Sequence, residues 1–202
     1  MNKMIDWLSI LGGYNTGQES SSEIYDPLSQ SFLGGPVLPG AFNSFCAAKV
    51  NETHFAITGG QWTTRKFYMF NWNDETWTAM PDLVSSRYYH GCAVVNTEHG
   101  KELWLVGGFS GPHLDSVHIF DFTSSEWRVG VPMPQPRKGP ATVVVDNKVV
   151  VIGGSPFNGE YLSSILEWNP DSNSWLESTA RLSKSRGFAA ATLVSDSGAN
   201  CC

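Results

Sequence analysis

Apolar residues run in short blocks that stop at pairs of glycines. Leu8-Ser9-Ile10-Leu11 ends at Gly12-Gly13, Phe55-Ala56-Ile57-Thr58 at Gly59-Gly60, Leu103-Trp104-Leu105-Val106 at Gly107-Gly108, and Val149-Val150-Val151-Ile152 at Gly153-Gly154. A short apolar run bounded by glycine predicts a buried β-strand with a sharp exit. The glycines supply the positive φ or the close backbone approach that such an exit demands. Their second members fall at 13, 60, 108 and 154, so the steps are 47, 48 and 46 residues. The chain is built from serial modules.

Each glycine pair is followed by a polar loop, a short alternating strand, a turn and a large aromatic residue. The alternating strands lead from Glu23-Ile24-Tyr25-Asp26-Pro27 to Phe32, from Phe70-Asn71-Trp72 to Trp77, from Phe120-Asp121-Phe122 to Trp127 and from Trp168-Asn169-Pro170 to Trp175. The turns at Asp26-Pro27, Asn73-Asp74, Thr123-Ser124-Ser125 and Asn169-Pro170-Asp171 favour a side-chain to backbone hydrogen bond or a preset φ and predict hairpins. The aromatic after each turn has enough area to bridge neighbouring modules. Phe32 in place of tryptophan makes the first copy degenerate. Proline- or glycine-marked links then lead to small-residue strands at 45–50, 91–95, 141–145 and 188–194, suited to the crowded inner edge of a radial sheet.

Each module therefore holds four strands: a (small residues), b (ending in the glycine pair), c (aromatic) and d (tryptophan). The expected modules span about 5–33, 43–80, 88–130 and 139–178. The first lacks strand a, and residues 187–194 are a strand that could complete it.

Glycine pairs, an aromatic near the start of strand c and a tryptophan six to seven residues beyond it resemble the kelch-repeat family. The resemblance covers nearly the whole chain. It implies an all-β fold, a β-propeller of four kelch-type four-stranded blades. These would form a closed four-blade ring or part of a larger ring, since propellers close with ~4 to 8 blades. A fragment or short form is the expected alternative to a complete ring. Gly12, Gly13, Gly59, Gly60, Gly107, Gly108, Gly153 and Gly154, with Phe32, Trp77, Trp127 and Trp175, are its structural repeat residues.

Net charge is −6, and lysine and arginine are scattered. That argues against nucleic acid or an anionic membrane as partner. No apolar stretch approaches the ~20 residues of a membrane span. Asp6 interrupts the N-terminal apolar residues, so no secretory signal is expected, and the cytoplasm is the expected setting. Cys46 and Cys92 read as reduced, small apolar fillers. The sequon at Asn51 is expected to be idle.

Candidate chemistry lies on the face where b-to-c loops and d-to-a links emerge. Counting back six residues from Ala93, Val143 and Thr192 on strand a lands on Arg87, Arg137 and Arg186, with Ala41 in the first copy. Arginine captures carboxylates in a bidentate fork. The kelch resemblance implies that such arginines contact acidic peptide segments, as in substrate adaptors of ubiquitin ligases. The competing reading has them pairing with local carboxylates or capping carbonyls at the entry to strand a. Trp62, Arg65, Phe109, Phe157 and Tyr161 stand around them as expected partner-binding residues, while Tyr88 and Tyr89 are expected to pack. No catalytic or metal-binding residues and no cofactor are expected. The alternatives are a kelch-like enzyme using a metal near Glu160, Asp115 and His113, and an actin-binding scaffold.

Overall fold

The computed structural model describes residues 8–15, 17–61 and 65–194. Among them every regular element is a β-strand. The chain divides into two compact units, Met1–Tyr88 and Tyr89–Cys202.

The first unit holds β1 (Leu8–Leu11), β2 (Tyr14–Asn15), β3 (Gly17–Gln18), β4 (Ser22–Asp26), β5 (Ser31–Gly34), β6 (Cys46–Lys49), β7 (His54–Thr58), β8 (Phe67–Asn71) and β9 (Thr76–Ala79). They form a three-stranded antiparallel sheet, β1-β4-β5, a four-stranded one, β6-β7-β8-β9, and a small hairpin, β2-β3, in the first b-to-c loop. In the second unit, β10 (Gly91–Thr97), β11 (Gly100–Val106), β12 (Val117–Asp121) and β13 (Glu126–Val129) make one four-stranded sheet. A second comprises β14 (Ala141–Val145), β15 (Lys148–Ile152), β16 (Ser164–Asn169) and β17 (Ser174–Arg181). Strand order follows chain order throughout, as in a propeller blade.

The c-to-d hairpins share one device. Asp26, Asn71, Asp121 and Asn169 close strand c, and each Oδ1 accepts the N–H two residues on, at 2.7 to 3.0 Å. Four residues after each lies a left-handed residue: Gln30, Glu75, Ser125 and Asn173, with φ between 47° and 59°. In the second and third copies the anchoring residue is therefore the last one of the strand, Asn71 or Asp121. The turn residues Asn73 and Thr123 supply the N–H.

Residues 187–194, expected as a further strand a, lie in no strand, and the first sheet has three strands. Every other strand a is paired by the strand b that directly follows it. The side chains of 190–194 are exposed.

Each unit has its own core. In the second, Val106, Val117 and Ile119 from one sheet pack with Val149, Val151, Leu166 and Trp175 from the next, and Met133 of the link is enclosed with them. Burial of side chains of this size gives roughly 1.5 to 3 kcal/mol each. In the first, Leu38, Phe42 and Ile57 are buried, with Leu11, Phe45, Phe55, Tyr68 and Trp77 against them. Two tryptophans of strand d bridge blades: Trp77 Nε1 donates to Val37 O and Trp175 Nε1 to Val131 O, both at 2.9 Å. Phe32 has no such donor and is 56% exposed.

Candidate functional site

The glycine pair exists to receive the link. Gly108 N donates to Arg137 O, Arg137 N to Leu114 O, and Leu114 N to Gly108 O. One link residue is thus inserted between the exit of strand b and the approach to strand c. The same triangle joins Gly154, Arg186 and Leu162, and again Gly13, Phe42 and Glu19. A β-carbon on Gly107 or Gly153 would lie 2.3 Å from the carbonyl oxygen of Arg137 or Arg186. Only glycine admits the link so closely.

This geometry corrects the expected register. The residue of the first copy equivalent to the arginines is Phe42, not Ala41. Phe42, Arg87 and Arg137 each precede the first residue of strand a by four. Phe42 is 1% exposed, and Arg87 and Arg137 are 0% exposed. Arg137 Nη1 donates to Gly153 O at 2.7 Å and to Ser164 O at 3.0 Å, and Nη2 donates to Ser164 Oγ at 2.7 Å. Its backbone holds one blade and its guanidinium the next. Burial pulls both Arg87 and Arg137 down to about 10, which leaves them charged at neutral pH. The carbonyl-capping reading describes Arg137 as it stands. Its fork is engaged within the blade, where a carboxylate from outside does not meet it.

The other expected residues divide. Arg186 is exposed, its Nε donating to Lys184 O at 3.3 Å. Phe157 and Tyr161 are 60% and 48% exposed on the last b-to-c loop, where Ser155 Oγ donates to Phe157 O. Phe109 is half-buried, and Arg65, in the first unit, is exposed with its Nε donating to Leu83 O at 2.9 Å. Trp62 lies outside the described residues.

The structure adds a group that the spacing argument missed. Lys138, next to Arg137 in the link, places its Nζ 4.6 Å from the ring centroid of Phe109, 5.2 Å from that of Tyr89 and 5.7 Å from that of Phe188. Phe188 stands edge-on to Tyr89 at 5.0 Å, and His113 edge-on to Phe109 at 5.2 Å. Desolvation first, and the Lys138 charge second, hold His113 below its usual range. The sequence signal was an aromatic at or near three of the four link positions, Phe42, Tyr88 with Tyr89, and Phe188, too diffuse to assign without coordinates.

One further correction concerns chemistry. Cys46 and Cys92 are each disulfide-bonded, against the expectation of reduced fillers. Among the described residues no three of His, Cys, Asp and Glu gather closely enough to hold a metal ion, so Glu160, Asp115 and His113 do not form the cluster that an enzyme reading requires. No helix among the described residues is long and apolar enough to cross a membrane.

Blades of this order, glycine-paired and tryptophan-bridged, define a kelch-type β-propeller. The family model described as the KLHDC2/KLHL20/DRC7 Kelch-repeats domain matches residues 44–199, and the chain belongs to the kelch-repeat family. It is 32% identical over 139 residues to human Kelch-like protein 35, covering 68% of this chain and 23% of that protein. It is 28% identical over 172 residues to Kelch-like protein 23 of Pongo abelii, covering 82% and 29%. The chain thus spans between about a quarter and a third of these relatives' lengths. The fold also matches the solved "Structure of YjhT" with a TM-score of 0.75 at 17% identity, covering 93% of this chain and 72% of that one.

Proposed function

We propose that the chain is a protein-interaction module that binds through the glycine-pair end of its blades. The observation that carries this reading is the surface of the second unit, where two hydrogen-bonded segments each expose large aromatics. Phe157 and Tyr161 come from one segment and Arg186 and Phe188, the last 51% exposed, from the other. Backbone bonds from Arg186 N to Leu162 O and from Gly154 N to Arg186 O hold the two together. Exposed aromatics with arginine are the usual anchors of protein interfaces.

Within this reading the partner offers an acidic segment and the job is substrate recognition for a ubiquitin ligase, as the kelch resemblance implies. Actin binding is the competing partner, and cosedimentation separates the two. The cytoplasm goes with the adaptor role. The disulfide-bonded Cys46 and Cys92 favour an oxidising compartment instead, and thiol titration of the protein taken from cells decides between them.

The test is mass spectrometry of proteins retained from cell lysate by the chain and by a Phe157→Ala, Tyr161→Ala, Arg186→Ala variant. A partner retained by the first and lost from the second, at equal melting temperature, supports the face. Identical sets from both overturn it.

A further inference from the structure

The ammonium of Lys138 is packed among aromatic rings. Three rings surround it, each from a different segment distant in sequence, and its backbone is fixed by reciprocal bonds to Ser155, N to O and O from N, each 2.8 Å. Among the described residues it has no ion pair and no hydrogen-bond acceptor. Aromatic faces stabilise the charge by their quadrupole but do not use up its three N–H donors. A lysine held this way has already lost much of the rotamer freedom that binding would otherwise take from it.

We propose that the second unit carries a carboxylate-binding site: Lys138 Nζ is the anchor for an aspartate or glutamate of a partner peptide, and Phe109, Tyr89 and Phe188 form the wall for an apolar residue beside it. This rests on the reading of the glycine-pair end as the binding face and names its recognition element. It moves the charge that selects an acidic partner from the buried arginine position to the next residue in the link. The site is open, since Phe188 is half-exposed and Lys138 half-buried. The positive potential is felt locally, because the Lys138 charge helps keep the neighbouring His113 neutral. Arg186, exposed on the segment that leads to Phe188, gives the acidic segment a second cation.

Selection from a random dodecapeptide display library tests this, run with the unsubstituted chain and with Lys138→Gln, Lys138→Arg and Phe188→Ala variants of equal melting temperature. Peptides with aspartate or glutamate beside a bulky apolar residue are expected from the unsubstituted chain. Lys138→Gln should weaken them at least about tenfold, as loss of a charge-assisted bond does. Lys138→Arg should keep most of the binding, and Phe188→Ala should weaken it several-fold. Selected peptides that bind the Lys138→Gln variant equally well overturn the site while leaving the interaction module standing. Basic peptides that bind better without Lys138 would show that the rings are a cage for a foreign cation, and would overturn it too. No selected peptide from the unsubstituted chain overturns the module reading and the site together.

Discussion

Phe42 in the first unit and Arg137 in the second occupy one repeat position and solve one problem with opposite chemistry. Both offer their carbonyl to the second glycine of a pair, and both are fully buried. Phe42 fills its place with a ring that meets Phe45 at 5.7 Å and Tyr68 at 6.0 Å. Arg137 fills it with an alkyl stem and ends in a fork that satisfies Gly153 O, Ser164 O and Ser164 Oγ. The position therefore demands volume and a link carbonyl, and charge is optional there. A buried cation is tolerated because both terminal nitrogens of its fork meet acceptors, two carbonyls and a hydroxyl.

The comparison breaks most visibly at the two side chains themselves. Phe42→Ala should cost about 3 to 5 kcal/mol through the cavity left in the first core. Arg137→Ala should cost a similar ~3 to 5 kcal/mol, because two carbonyls and a hydroxyl lose their donors in a closed site. Arg137→Met, which keeps the stem, should lose less. Urea denaturation midpoints measure all three, and an unchanged midpoint for Arg137→Ala would remove the blade-linking role.

A smaller effect is expected at the glycines that receive the link. Gly153→Ala combines a φ of 63° with a contact of 2.3 Å to a backbone oxygen and should cost about 2 to 4 kcal/mol. Gly159→Ala has a φ of 86° but open space around it and should cost only about 1 to 2 kcal/mol. If the two lose equally in thermal melts, the close approach of the link is not what selects glycine.

The smallest effect separates the aspartate from the asparagine hairpins, one of each in either unit. The Asp121 carboxyl is held below its usual range chiefly by the Thr123 N–H, and that of Asp26 by the Ser29 hydroxyl. A folded pKa below the unfolded one stabilises at pH values above the unfolded value near 3.8. That contribution fades as pH falls through the folded value. Asp121→Asn keeps the accepting oxygen and removes the proton site. Acid unfolding followed by circular dichroism should shift to lower pH in this variant, with little change at neutral pH.

Much of the fold was legible because the repeat imposes it locally. Glycine pairs mark strand ends, and the six-residue step from the end of strand c to the aromatic of strand d reflects a fixed hairpin. The site was less legible. Arg137 and Arg186 share a repeat position, yet one is sealed and the other exposed, since a long cationic side chain serves a solvent face or a set of carbonyls equally well. Counting from strand a placed Ala41 where Phe42 belongs, since backbone bonds set the register.

Sequence alone determined the all-β class, the strand order within each blade, the hairpin turns and the need for glycine at each strand exit, because short-range φ preference and period-two burial govern these. Tertiary structure alone decided which cation is buried, that Lys138 meets Phe109, Tyr89 and Phe188, and that Cys46 and Cys92 are oxidised. Those outcomes depend on residues tens of positions apart arriving at one point, and no local spacing encodes such an arrival.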